Sequence, residues 1–415
     1  MNRRHDIDAL RALAFGLVIL YHVAMYYVAD WHWHLKSPHA AEWLQTPMRA
    51  LNLWRMDLVF LISGLALGFL QRGRGPGALL RERSWRLLLP LVFGMAVIVP
   101  FQAYAQGVSN GSIAPGLGAF LWRYAGGGPW PKAAFDGSDF GVTWNHLWYL
   151  PYLWLYTTVL VLLLPVLQSA AGQRLRLAFT GLRGVALLSV PALPLMAWSL
   201  TLWPHFPPTH DLIQDGWLHA VYFTLFLYGW WIGTDEHWWA EAARLRRLAL
   251  GSALVMLVLY LGLRALPAEL AAPRQLLRLI ADGYLWTALL AILGWGHVKL
   301  NRPWRWLPWA RASVYPWYVL HQTLIIALVW WLAPLQLGPA VEPLLLVAGT
   351  LLGCWMLTAL VRHAAWLRPL FGLGRQDTAK LRPPGRLPHP SPDLPVCPSV
   401  HNAGSPGRPC RPGTW

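Results

Sequence analysis

The sequence predicts an all-helical bundle of about ten membrane-spanning segments, and three observations carry that expectation. Hydrophobic residues make up 56% of the 415 and charged residues only 13%, roughly half the charged share of an ordinary soluble domain. Apolar runs near the roughly 20 residues that a spanning helix needs recur along the chain. The loops between them collect most of the basic residues, and the 28 tryptophans suit belts at the two membrane surfaces.

The runs lie at about 9–29, 51–71, 87–105, 147–167, 180–203, 217–234, 248–266, 277–297, 311–333 and 343–362. The first follows Arg3 and Arg4, as a signal peptide would, but no small-residue cleavage site follows it. The polar, bulky "ADWHWHLKSPH" after it marks a retained helix. A net charge of +16 might suit nucleic acid, yet the basic residues sit in alternate loops. Arg72, Arg74, Arg81, Arg83 and Arg86 share one; Arg174, Arg176 and Arg183, then Arg244, Arg246 and Arg247, then Lys299, Arg302, Arg305 and Arg311 occupy others on the same side. That distribution predicts a lipid bilayer rather than a nucleic acid as partner, with both termini cytoplasmic. Arg264, Arg274 and Arg278 fall on the opposite side and break the rule. The longest loop, about 106–145, is then external. Residues 1–370 form the transmembrane domain, and 371–415 form a basic Pro-rich tail that is expected to be disordered. Three cysteines, Cys354, Cys397 and Cys410, show no metal-ligand spacing, and no internal repeat is visible.

Arg11 and His22 lie eleven positions apart, about 20° past three full turns, so they share one face of the first helix. Arg11 sits at the basic edge and His22 deep in an apolar run, where an ionisable group usually faces protein or a water-filled path. Asp8, three residues before Arg11, is placed to pair with it. Asp57 is expected at about His22's depth in the second span, where a carboxylate would orient the imidazole and stabilise an imidazolium. The other reading of these residues is a helix-start ion pair, a packing histidine, and an Asp57 held by Arg55 or Arg49. Ser63 and Gly64 leave room for a narrow ligand or for a close helix.

These segments resemble the acyltransferase-3 family of multi-span membrane proteins. "LRALAFGLVILYH" has its R-x10-H pattern, "DLVFLISG" its Ser-Gly segment, "RERSWRLLLP" its basic loop, and "YPWYVLHQTLI" its late Tyr-x-x-Tyr-x-x-His segment. "DWHWHLKS", "WRMDLVFLISG" and "NHLWYL", in this order, are most similar to the branch that succinylates periplasmic glucans. The resemblance implies transfer of an acyl group from cytoplasmic acyl-CoA (acetyl-CoA or succinyl-CoA) to a hydroxyl of a periplasmic or envelope glycan across a bacterial inner membrane. It implies catalytic roles for His22 and Asp57, donor contacts from Arg11, Arg83 and Arg86, and substrate or tunnel roles for Ser63, His146, Tyr318 and His321. No metal is expected.

The chemistry of the residues agrees. A hydroxyl needs a general base near neutral pH, and neutral imidazole suits that task; arginines suit the phosphates of CoA. The positive-inside rule alone also accounts for Arg83 and Arg86, and helix packing for His321. His146 has an interfacial alternative, and His32 and His34 are expected in an ordinary interfacial loop. A transporter with a His22–Asp57 proton relay is the rival from another class, and a glycosyltransferase is less favoured because Glu42 is the only glutamate or aspartate between Trp31 and Asp57.

Overall fold

The computed structural model describes residues 4–71 and 73–374; Arg3, Arg72 and the Pro-rich stretch after Gly374 lie outside the described residues. The described chain is helical, with no strand and one isolated bridge between Val28 and Ala41. In order the helices are α1 (His5–Tyr27), α2 (Gln45–Asn52), α3 (Arg55–Leu70), α4 (Pro76–Phe93), α5 (Pro100–Ser109), α6 (Leu117–Ala125), α7 (Tyr149–Leu167) and α8 (Ala170–Thr180). There follow α9 (Gly184–Ser189), α10 (Ala192–Thr201), α11 (Gly216–Ile232), α12 (Glu236–Arg264), α13 (Arg274–Leu300), α14 (Leu307–Leu332) and α15 (Gly338–His363).

Nine helical stretches among the described residues are long and apolar enough to cross a membrane. The expected segment near 217–234 is α11, 17 residues long. At 1.5 Å per residue it spans about 26 Å, close to a hydrocarbon core. Helix directions require it as a crossing. Asp8 meets Arg311 at 3.8 Å, the Phe15 and Tyr318 rings lie 5.5 Å apart, and His22 meets His321 at 2.8 Å. Positions rise together, so α1 and α14 run in the same direction. Without α11, α14 would be the eighth crossing and antiparallel to the first. With it, α14 is the ninth, the described chain crosses ten times, and both its ends fall on one side, here termed the basic end.

Close helix contacts explain several glycines. Gly64 abuts the Phe226 backbone, Gly68 abuts Trp230, and Gly229 lies against the backbone of Leu61 and Leu65. A side chain at Gly64 or Gly229 would displace the neighbouring helix, so here small residues serve close packing of α3 on α11. At the basic end, Arg4 donates to both oxygens of Asp6 at 2.9 and 2.6 Å, and His297 on α13 bonds the same fully buried carboxylate at 2.8 Å. Arg4 also lies 4.0 Å over Trp239 of α12. This network anchors the start of α1 to α12 and α13.

At the opposite end, the chain between α4 and α5 bends. Pro90 lacks an amide donor, a π-helical turn follows at Gly94–Ile98, and Pro100 opens α5. The bend turns Gln102 and Gln106 of α5 toward the bundle axis. The long loop beyond α5 is folded: Tyr104, Phe120, Tyr124 and Phe135 pack together with Trp130 against them. The loop before α11 wraps a fully buried Asp215, which accepts from the Tyr152 hydroxyl at 2.6 Å and from the backbone of Thr209 and His210.

Candidate active site

An open cavity of about 1410 Å³ enters the bundle from the end that carries the long loop. That exceeds a typical small-molecule pocket. His22 lines it. The Nδ1 of His22 lies 2.8 Å from Nε2 of His321, with the rings nearly parallel. His321 is fully buried, and its own Nδ1 lies 3.0 and 2.8 Å from the carbonyls of Trp317 and Tyr318. A carbonyl only accepts, so His321 Nδ1 carries the proton and neutral His321 presents a lone pair at Nε2. His22 Nδ1–H donates to that lone pair. The remaining nitrogen of His22, Nε2, is then unprotonated and free to take a proton. Backbone carbonyls thus set the tautomer of both rings.

The other late-span and loop residues gather around this pair. The His146 ring lies 5.0 Å from that of His321; its Nε2–H donates to the Val319 carbonyl at 3.2 Å and its Nδ1 accepts from Gln102 at 3.2 Å. The Tyr318 hydroxyl donates to the His146 carbonyl at 2.6 Å. Residues from three separate segments of the sequence, His22, His146, and Tyr318 with His321, therefore form one cluster.

Asp57 departs from expectation. It lines the cavity, but no hydrogen bond or ion pair joins it to His22. The second span is not one straight helix: the chain breaks at Leu53 and Trp54, and Asp57 falls in the first turn of α3. The first turn is where the helix dipole favours a carboxylate, and the orienting partner of His22 is His321.

Sequence reasoning missed the wall between the pair and the long loop. Gln322 donates to the Gln102 oxygen at 3.1 Å and to His34 Nε2 at 2.9 Å. His34 Nδ1–H donates to Gln106 at 2.7 Å, and Gln106 donates to Asp136 at 3.1 Å, whose oxygen also meets His32 at 3.1 Å. His34 is 8% exposed, so it is a buried member of the site rather than an interfacial histidine. Burial alone would raise Asp136, but His34, the Gln106 bond and His32 outweigh it and hold the carboxyl below its usual value. Burial, opposed by Asp136 and the Gln106 bond, holds His34 below the usual imidazole range. The sequence signal was present as Gln102 and Gln106, four residues apart in an apolar helix and hence on one face.

On the basic side, the rings of Phe15, Tyr149 and Tyr318 pack edge to face, 5.5 to 6.1 Å apart. They fill the axis between the histidine pair and Arg11. Ser63 bonds the Tyr149 hydroxyl at 2.5 Å and the Val59 carbonyl at 2.7 Å, so it faces this trio rather than the cavity. Arg11 and Arg83 each leave a buried Nε without a partner, whereas Arg86 reaches the Gly372 carbonyl at 3.4 Å and Glu82 at 3.8 Å. Among the described residues no group of three or more His, Cys, Asp or Glu side chains is placed to hold a metal ion.

A helical bundle with many apolar spans and a cavity that reaches the buried His22–His321 pair through His22 defines a multi-span membrane protein. The model of the acyltransferase-3 family, described as an acyltransferase domain, matches residues 4–359, and the chain belongs to that family. It is a membrane acyltransferase. No curated protein and no solved structure matches the chain.

Proposed function

We propose that this protein moves an acyl group from acyl-CoA to a hydroxyl of a periplasmic or envelope glycan, with His22 as general base. The observation that carries the reading is the His22–His321 hydrogen bond, because it leaves His22 with an unprotonated Nε2 in the wall of a cavity sized for a saccharide. In this reading the basic end faces the cytoplasm of a bacterial inner membrane, as the positive-inside rule favours. Arg11, Arg83 and Arg86 receive the CoA phosphates through charge-assisted contacts. The thioester passes the Phe15–Tyr149–Tyr318 trio, with Ser63 beside it, and stops at His22. The glycan enters from the opposite side past His146 and the long loop, and Asp57 faces the acceptor.

The hydroxyl oxygen attacks the thioester carbonyl carbon while His22 Nε2 takes the hydroxyl proton. The tetrahedral intermediate collapses, the carbon–sulfur bond breaks, and the imidazolium returns its proton to the CoA sulfur. A transient acyl-imidazole on His22 is the covalent variant of the same sequence of events. The resemblance of "DWHWHLKS", "WRMDLVFLISG" and "NHLWYL" to the glucan-succinylating branch favours a succinyl group and a glucan acceptor; acetyl is the simpler donor. The test is purified full-length protein in nanodiscs, incubated with acetyl-CoA or succinyl-CoA and β-glucan oligosaccharides. Glycan-dependent thiol release, with the matching mass increment on the glycan, is expected. Thiol release without glycan modification, or neither, would remove this function.

A further inference from the structure

Three arginines, Arg264, Arg274 and Arg278, break the charge rule of the sequence, and all three line the cavity together with Arg49 and Arg55. Among the described residues none of the five forms an ion pair. Arg55 is the most deeply placed, 7% exposed, with Nε and Nη1 unpartnered and Nη2 only 3.5 Å from the Asn52 oxygen. Its guanidinium lies 3.3 Å over the Tyr21 ring, and that ring is 6.1 Å from His22. Arg278 stacks 2.9 Å over Trp203 and also leaves Nε unpartnered. Of the four aspartates that line the cavity, Asp136 is held by His32 and Gln106, and Asp57, Asp211 and Asp282 form no direct ion pair with these arginines.

A buried guanidinium without a direct ion-pair partner is costly, and a one-sided group of arginines on the far face also opposes membrane insertion. Such a group is matched by an anion, and the planar fork of arginine suits a carboxylate or phosphate. Stacking on Tyr21 and Trp203 keeps two of the forks in place while their nitrogens stay available. Resting on the acyl-transfer reading, we propose that one of the two reactants carries an anionic group, which Arg55 receives one ring away from His22 while Arg49, Arg264, Arg274 and Arg278 draw it into the cavity. The anion belongs either to the acyl group, as the free carboxylate of a dicarboxylic half-thioester, or to an acid-substituted glycan.

Two sets of rates on purified protein in nanodiscs separate the sources. Succinyl-CoA is compared with acetyl-CoA on a neutral glucan oligosaccharide, and a glucuronate-bearing oligosaccharide with the neutral one using acetyl-CoA. Arg55→Gln is expected to lower kcat/KM about 10- to 100-fold for the charged reactant only, and the pair that loses identifies the source. An equal loss for charged and uncharged pairs, or no loss, overturns the proposal while leaving acyl transfer standing. Tryptophan fluorescence supplies a readout without turnover, because Trp203 and Trp217 line the cavity. Succinate or glucuronate is expected to change wild-type emission saturably and glucose not to; the absence of any anion response overturns the proposal even if Arg55→Gln fails to fold. Anion binding without transfer from either donor would instead uphold this site and remove the proposed donor and acceptor.

Discussion

Removing the partner of His22 separates positioning from proton transfer. His321→Ala takes away the acceptor, 2.8 Å away, that fixes the His22 tautomer. A buried N–H left without an acceptor costs about 1–3 kcal/mol, and each 1.4 kcal/mol is about tenfold in rate. If that energy now holds the ring in its reactive orientation, kcat falls about 5- to 150-fold, and the KM for acyl-CoA stays nearly constant because no donor contact is lost. His321→Gln offers an amide oxygen near the position of Nε2 and an N–H for the Trp317 or Tyr318 carbonyl, so it should recover most of the rate. The assay is glycan-dependent CoA release, with thermal unfolding followed on the same samples. A His321→Gln protein that is folded and as inactive as His321→Ala would refute the reasoning, because His321 would then have to exchange a proton itself.

Three further outcomes follow from the geometry. Arg11→Ala should raise the acyl-CoA concentration for half-maximal rate, with little change in unfolding temperature; unchanged donor affinity would leave Arg11 a structural residue. Gly229→Ala places a methyl group against the Leu61 and Leu65 backbones and should destabilise the bundle by about 1–3 kcal/mol, whereas Gly251→Ala, with open space around it, should not. Equal unfolding temperatures for the two would contradict the close α3–α11 contact. His34 and Asp136 both have folded pKa values below their free values of 6.5 and 3.8. The unfolded loop therefore binds more protons, and the stability these groups give is complete above about pH 6.5 and is lost as pH falls, through His34 first and Asp136 later. Hydrogen exchange in residues 110–144 should accelerate toward low pH, with Asp136→Asn flattening the lower part of the profile. Protection that stays constant from pH 7 to pH 3 would contradict this.

The helices were legible because hydrocarbon demands long apolar runs, and helix count survived even where α11 is short. The R-x10-H spacing on α1 and the order of the motifs pointed to the family that the chain matches. The partner of His22 was not legible, because it depends on which helices lie side by side. α1 touches α14 across almost 300 residues of sequence, and no spacing rule reaches that far. Asp57 makes no hydrogen bond to His22, and hydropathy sees one run through Leu53 and Trp54 where the backbone has a break. His34 looked interfacial because its neighbours are tryptophans, and only the bend at Pro90 and Gly94 brings Gln106 to it. The arginines at the far end looked like noise in the topology and turned out to line one wall.

The central claim is that His22 takes the proton of the attacking hydroxyl, and the turnover of His22→Gln tests it most directly. Glutamine keeps a hydrogen bond available to His321 but cannot accept the proton, so expression, unfolding temperature and acyl-CoA binding should match the wild-type protein. Glycan-dependent CoA release should fall about 10²- to 10⁴-fold, and mass spectrometry of the glycan should show a matching loss of acylated product. Near-normal turnover by folded His22→Gln would contradict the account and take this histidine out of the chemistry.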